Sequence, residues 1–181
     1  MFLVGMAAFV LAYFQPQKLF IDDRVNEAFP VAGPGAAPDA AAPTTDAIAT
    51  STDASPPQPT TPPTTVAPQP VAERSGTFIS REHGTTGSAT VYRLGDGRRV
   101  LRLEDLDTSN GPTLVVYLSA NPADGPNGAF DDGYIDLGGL KGNIGDQNYE
   151  IPDDIDPGQY RSVVIWCDRF NVAFGAAELV D

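Results

Sequence analysis

Cysteine, histidine and tryptophan each occur once in this 181-residue chain, as Cys167, His83 and Trp166. A lone cysteine has no disulfide partner within the chain, which excludes an internal disulfide framework. One histidine, with no serine nucleophile elbow and no matched acid/base pair, leaves hydrolytic catalysis without support. Basic charge is scarce as well: 11 Lys and Arg stand against 24 Asp and Glu, a net charge of −13. Such a surface repels phosphate backbones and anionic lipid headgroups, so nucleic acid is excluded as a partner. It suits a basic redox partner, bound Ca²⁺, or plain solubility.

Long apolar runs are also missing. Met1 to Phe14 is charge-free, but Gln15-Pro16-Gln17-Lys18 ends it, and fourteen helical residues rise about 21 Å against a hydrocarbon core of roughly 30 Å. A signal peptide is the alternative to an anchor. No Lys or Arg precedes the run, however, and Tyr13-Phe14-Gln15-Pro16 is a poor cleavage site. The expectation is an uncleaved single-pass anchor over residues 1–20 in the cell membrane, with the rest of the chain outside the cytoplasm. Residues 21–74 follow as a juxtamembrane segment and linker. Pro30 to Glu73 holds eleven prolines and eight threonines and no aromatic residue, too little apolar area to offset its ordering entropy. It reads as a disordered stalk, reaching about 36 Å as coil and roughly 130 Å fully extended.

Residues 75–181 make one domain. Fifteen of the eighteen glycines lie here, and no window of helical length escapes a glycine, proline or turn cluster. Turn signals at Gly95-Asp96-Gly97, Asn110-Gly111-Pro112, Asp124-Gly125-Pro126-Asn127-Gly128, Asp132-Gly133 and Asp156-Pro157-Gly158 separate eight expected strands. These are placed near 76–80, 86–94, 98–104, 113–119, 133–138, 147–151, 160–167 and 170–179. The expected fold is all-β, an antiparallel β-sandwich of about eight strands. Its core is drawn from Phe78, Leu101, Leu103, Val115, Val163, Ile165, Val172 and Phe174.

Cys167 closes the densest apolar run, Val163-Val164-Ile165-Trp166-Cys167. Both faces of that strand are apolar, so it is central or covered. The cysteine is then either an inert packed residue or, because Asp168-Arg169 follows as a turn, a sulfur at a sheet edge within reach of a ligand. His83 lies in a Gly/Thr loop between the first two strands; beside Cys167 it would suit a soft metal or axial haem ligation. Asp124, Asn127, Asp131, Asp132 and Asp136 offer oxygens to Ca²⁺, but their spacing fails the EF-hand pattern. Gly138 to Gly145 is rich in glycine without being a nucleotide-phosphate loop, and reads as a tight turn.

Taken together, Gly76-Thr77-Phe78, His83 to Gly87, Asn110-Gly111-Pro112 with Leu114 to Leu118, Asp136-Leu137-Gly138, Leu140 to Gly145, Gln147-Asn148-Tyr149, and Val163 to Cys167 with Phe170, Val172, Phe174, Gly175 and Ala177 form an ordered set. In these the domain resembles the DM-thirteen, or electron-transfer DM, family over about residues 76–180. Phe14 to Phe20 and Asp23 to Glu27 resemble the juxtamembrane stretch of membrane-anchored bacterial members. The resemblance implies an extracellular all-β domain whose characteristic cysteine, Cys167 here, takes part in redox chemistry as a bare thiol or as a ligand to haem or another redox metal. It also implies an extracytoplasmic redox partner. The rival is a non-catalytic binding or adhesion module on a stalk, with Cys167 as core filler and Tyr117, Tyr134, Tyr149 and Tyr160 available to sugars. An anchored chain stays with the membrane fraction, its domain facing outward; recovery from the medium of a mature protein starting after residue 30 would overturn the anchor.

Overall fold

A computed structural model describes residues 21–30 and 69–181. The expected anchor over 1–20 and most of the Pro/Thr stretch lie outside the described residues. Every expected strand of the domain is present. They are β2 (Val71–Ser80), β3 (Thr85–Arg93), β4 (Arg99–Thr108), β5 (Leu114–Ser119), β6 (Tyr134–Gly139), β7 (Ile144–Ile151), β8 (Ser162–Cys167) and β9 (Val172–Glu178). A ninth, β1 (Arg24–Asn26), precedes them. It comes from the segment assigned above to the juxtamembrane region, and its three residues carry no strand pattern of their own.

The nine strands form one sheet in the order β1-β7-β4-β3-β2-β9-β8-β5-β6. This departs from two separate sheets. β2 pairs with β3 from Val71 to Thr77 and with β9 from Phe78 to Ser80, so one strand carries the hydrogen-bond ladder from one half of the sheet to the other. The transfer falls beside Gly76, where a Cβ would stand 2.0 Å from the Glu178 carbonyl oxygen. No other residue allows that approach. The sheet curls, and its inner face closes on one core to which both halves contribute, Leu101, Leu103 and Leu106 from one and Leu118, Ile165 and Phe174 from the other. Of the eight expected core residues, Val172 is only partly buried. Val115 is buried on the outer face with Tyr117, Phe130 and Trp166, under the 120–133 loop.

All pairings are antiparallel except β1 with β7, where Arg24, Val25 and Asn26 lie beside Ile144, Gly145 and Asp146. β1 covers an edge that β7 would otherwise leave open. Gly145, at φ +105, makes room for it, since a Cβ there would lie 2.0 Å from the Val25 carbonyl oxygen. Side chains stitch the rest of the segment down. Asn110 donates to the Ile21 carbonyl at 2.8 Å, and the Asp23 amide donates to Asn143 Oδ1 at 2.7 Å. Lys141 Nζ reaches both Glu27 carboxylate oxygens at 2.7 and 2.9 Å, while the Asn148 amide donates to Glu27 Oε2 at 2.7 Å. Buried Arg102 binds the Glu27 carbonyl, Asn148, Glu104 and Asp146, and its guanidinium lies over the Phe29 ring.

Phe29 in turn meets Tyr92 edge-on at 4.8 Å, and Tyr92 is the register partner of Ala72 in β2. The Pro/Thr stretch therefore leaves the domain and re-enters it at the same end of the sheet. The described residues on either side of that stretch, Phe29 and Ala72, are thus held near Tyr92, while the expected stalk itself lies outside the described residues.

Burial pushes the Glu27 carboxyl up, but Lys141 and the Asn148 amide outweigh it and hold the group below its usual range. A depressed carboxyl stabilises the docked segment above its unfolded value of about 4.3, and that contribution is lost as pH falls through the lower folded value. Proteolysis within residues 21–30 should accelerate below about pH 4; Glu27→Gln should bring the faster cutting to neutral pH. A cutting rate indifferent to both would refute the role of this ion pair.

Candidate functional site

Cys167 ends β8, a strand flanked by β5 and β9, and pairs in register with Leu114 and Val172. Its side chain points into the curled sheet and is 0% exposed, among the core residues that include Leu114, Ile165 and Phe174. The thiol donates to the Pro112 carbonyl at 3.2 Å, a partner supplied by the Asn110-Gly111-Pro112 turn that leads into β5. The strand-end position therefore does not expose the sulfur: the turn before β5 and the Asp168–Asn171 turn close over it, the Phe170 and Asn171 amides donating to the Cys167 carbonyl at 3.2 and 2.8 Å. Burial pushes the thiol above its ordinary value, outweighing backbone amides that pull it down. A thiolate nucleophile needs access and a lowered value. This sulfur has neither.

His83 lies in the bend between β2 and β3, partly buried. Its ring packs on that of Phe174 with centroids 3.8 Å apart and planes tilted by 36°, and its backbone amide donates to the Phe174 carbonyl. Gly111 lies on the same ring, since a Cβ there would stand 3.0 Å from Phe174 Cζ. His83 and the turn that holds the Cys167 thiol thus both border Phe174.

To ligate haem or another metal, a sulfur or imidazole must direct its lone pair into space that the group can occupy. Cys167 is sealed and hydrogen-bonded. Among the described residues, no group of three or more His, Cys, Asp or Glu is arranged to hold a metal ion. The residues around Cys167 and His83 do not fit such a group. Three of the five acidic-loop candidates bond within the fold, Asp136 accepting from the Gly138 amide at 2.7 Å, Asp131 from Asn171, and Asn127 bonding Glu82 and the Ala173 amide, while Asp124 and Asp132 are exposed. Gly138 to Gly145 spans the end of β6, the 140–143 connection and the start of β7, with the Leu140 amide donating to the Leu114 carbonyl.

The four tyrosines do not share one surface. Tyr149 is buried, its hydroxyl donating to Gln147 Oε1 at 2.8 Å, and the Tyr160 carbonyl is held by Arg74. Tyr117 and Tyr134 do meet, on the outer face, stacked with centroids 4.1 Å apart and planes 14° from parallel. Tyr117 is followed by Trp166 at 6.2 Å, and Trp166 by Phe130 at 6.3 Å. The Tyr117 hydroxyl donates to Asp168 Oδ1 at 2.9 Å. Sequence reading missed this column. The two apolar faces of the Val163–Cys167 run signalled a buried outer side, but the pairing that brings β5, β6 and β8 together is invisible locally. Tyr117 pairs with Val164 and Val115 with Trp166, which makes Tyr117 and Trp166 diagonal neighbours.

A family model described as Electron transfer DM13 matches residues 77–179. No curated protein and no solved structure matches the chain.

The raised thiol has a signed consequence. Its stabilising effect is complete below the unfolded cysteine value near 8.5 and declines as pH rises toward the higher folded value. Tyr149, pushed up by burial to about 12, and Tyr117, pushed up by burial and by Asp168, add a second decline above about pH 10. Stability measured by urea unfolding should fall in two steps, and Cys167→Ala should remove only the first. That substitution should cost about 1–2 kcal/mol at neutral pH. Cys167→Ser should cost no more, because its hydroxyl inherits the Pro112 carbonyl. Alkylation of the folded wild-type thiol should proceed only as fast as the domain opens; rapid labelling under native conditions would contradict the sealing.

Proposed function

Because the chain belongs to the Electron transfer DM13 family through residues 77–179, we propose that it is an extracytoplasmic electron-transfer domain, tethered to the membrane by the sequence preceding Ile21, with Cys167 as its redox-active sulfur. Family membership carries this reading, and the local chemistry restricts its form. Disulfide exchange needs a thiolate that a second sulfur can approach, and Cys167 is buried with its thiol pushed up. Any part Cys167 takes in electron transfer is therefore not disulfide exchange with a partner. The net charge of −13 favours a basic redox partner steered in by complementary charge. Docking of residues 21–30 supports a domain held close to the membrane, not raised on a long spacer.

The same burial favours a second reading, a non-catalytic display or binding module in which Cys167 fills the core. Redox titration of the full-length chain in liposomes separates the two. The electron-transfer reading expects one reversible electron equivalent per chain, lost in Cys167→Ala while the thermal midpoint moves only by the few degrees that 1–2 kcal/mol allows. A wild-type chain with no reversible equivalent would reject it and leave the binding module.

A further inference from the structure

Building on the electron-transfer reading, we propose that Tyr134 and Tyr117 form a one-electron relay on the outer face of the sheet, beside Trp166, in which Tyr117 is the residue oxidised and Asp168 takes its proton. The geometry supplies three things a relay needs. The first is an entry point: Tyr134 is 39% exposed, on β6 at the edge of the sheet. The second is ring-to-ring continuity. Tyr134 stacks on Tyr117 at 4.1 Å, and Tyr117, 4% exposed, leads to Trp166 at 6.2 Å, itself 3% exposed. The third is a place for the proton. A phenol that loses an electron becomes a very strong acid, so oxidation is easy only where the proton leaves at the same time. Tyr117 already donates to Asp168 Oδ1 at 2.9 Å, and Asp168 lies on the exposed turn after β8.

The bond satisfies a buried hydroxyl that the packing itself does not require. Tyr117 is otherwise a packed aromatic against Val115, Val164 and Phe130, and phenylalanine would fill the same space. Desolvation and the Asp168 carboxylate hold the phenol protonated far above its ordinary value, so it meets an oxidant as the neutral, hydrogen-bonded form. Trp166 places the inner end of the column on β8, one residue from Cys167 and on the opposite face of the strand.

The oxidant is a high-potential one-electron acceptor of the oxygen-centred radical class, such as a peroxyl radical. The peroxyl takes a hydrogen atom from the Tyr134 hydroxyl, giving a hydroperoxide and a Tyr134 phenoxyl radical. An electron from Tyr117 and a proton from solvent restore Tyr134, while the Tyr117 proton crosses to the Asp168 carboxylate. A reductant of the ferrous haem or hydroquinone class then returns one electron to the Tyr117 radical, and Asp168 returns the proton.

The test needs neither partner nor Cys167. The full-length chain is photo-oxidised with ruthenium(II) tris-bipyridine and a cobalt(III) acceptor, then freeze-quenched for electron paramagnetic resonance. The expected result is a tyrosyl radical with the signature of a hydrogen-bonded phenoxyl, lost in Tyr117→Phe and reduced in yield in Tyr134→Phe. Asp168→Asn, which alters only an exposed side chain, should slow its formation on the order of a hundredfold and shrink its solvent isotope effect. A spectrum unchanged in folded Tyr117→Phe, or a formation rate unchanged in Asp168→Asn, would overturn the relay. If the relay fails while Cys167 still titrates reversibly, only this inference falls. If it persists in Cys167→Ala and no reversible equivalent is found in the wild type, the relay stands and the cysteine-centred function does not.

Discussion

The double pairing of β2 is the constraint on which the rest of this structure depends. Along its first part β2 bonds β3, and along its last three residues it bonds β9. The change of partner requires the backbone of Glu178 to lie against Gly76 with no side chain between them. Because one strand serves both halves, the sheet curls instead of splitting, and its concave face is sealed by residues from each half. The inward position of Cys167, on a strand two places along from β2, follows from that curl. So does the outward position of Trp166, its neighbour in the chain.

At the far edge of the sheet a different solution operates. β7 would present open backbone groups to solvent, and β1 covers them in parallel register. Three residues of strand give little by themselves, so the docking relies on charge. Buried Arg102 would be costly without partners, and it is satisfied by two carboxylates, a side-chain amide and the Glu27 carbonyl, with the Phe29 ring beneath it. The segment that joins the domain to the preceding sequence is thus part of the domain's own polar network. Both ends of the Pro/Thr stretch are pinned near Tyr92 as a result.

β8 separates two chemical environments. On its inner face the Cys167 thiol is closed off and bonded to a carbonyl. On its outer face aromatic rings run from the exposed Tyr134 to buried Trp166, with an acidic acceptor on Tyr117. A sealed thiol exchanges no bonds with partners, whereas an aromatic column whose end is open to solvent can pass electrons without any backbone movement. Both faces of β8 are buried, and the outer column reaches solvent only at Tyr134 on the neighbouring edge of the sheet.

Local pattern alone specified the eight strands of the domain and seven of its eight expected buried residues, because alternation of apolar side chains and Gly/Asn/Asp/Pro turn chemistry act within a few residues of each other. It also specified that the Val163–Cys167 strand is covered on both faces. Contacts between distant positions were decided only by the tertiary structure. Arg24-Val25-Asn26 has no strand signal and becomes a strand through partners some 120 residues away, on glycine backbone that makes space for it. The single curled sheet depends on where β2 changes partners, the closure of Cys167 on a carbonyl 55 residues distant, and the Tyr117–Trp166 contact on diagonal register between β5 and β8. Periodicity fixes which side a residue faces within its own strand, but the residue it meets there is set by long-range pairing, which no local window contains.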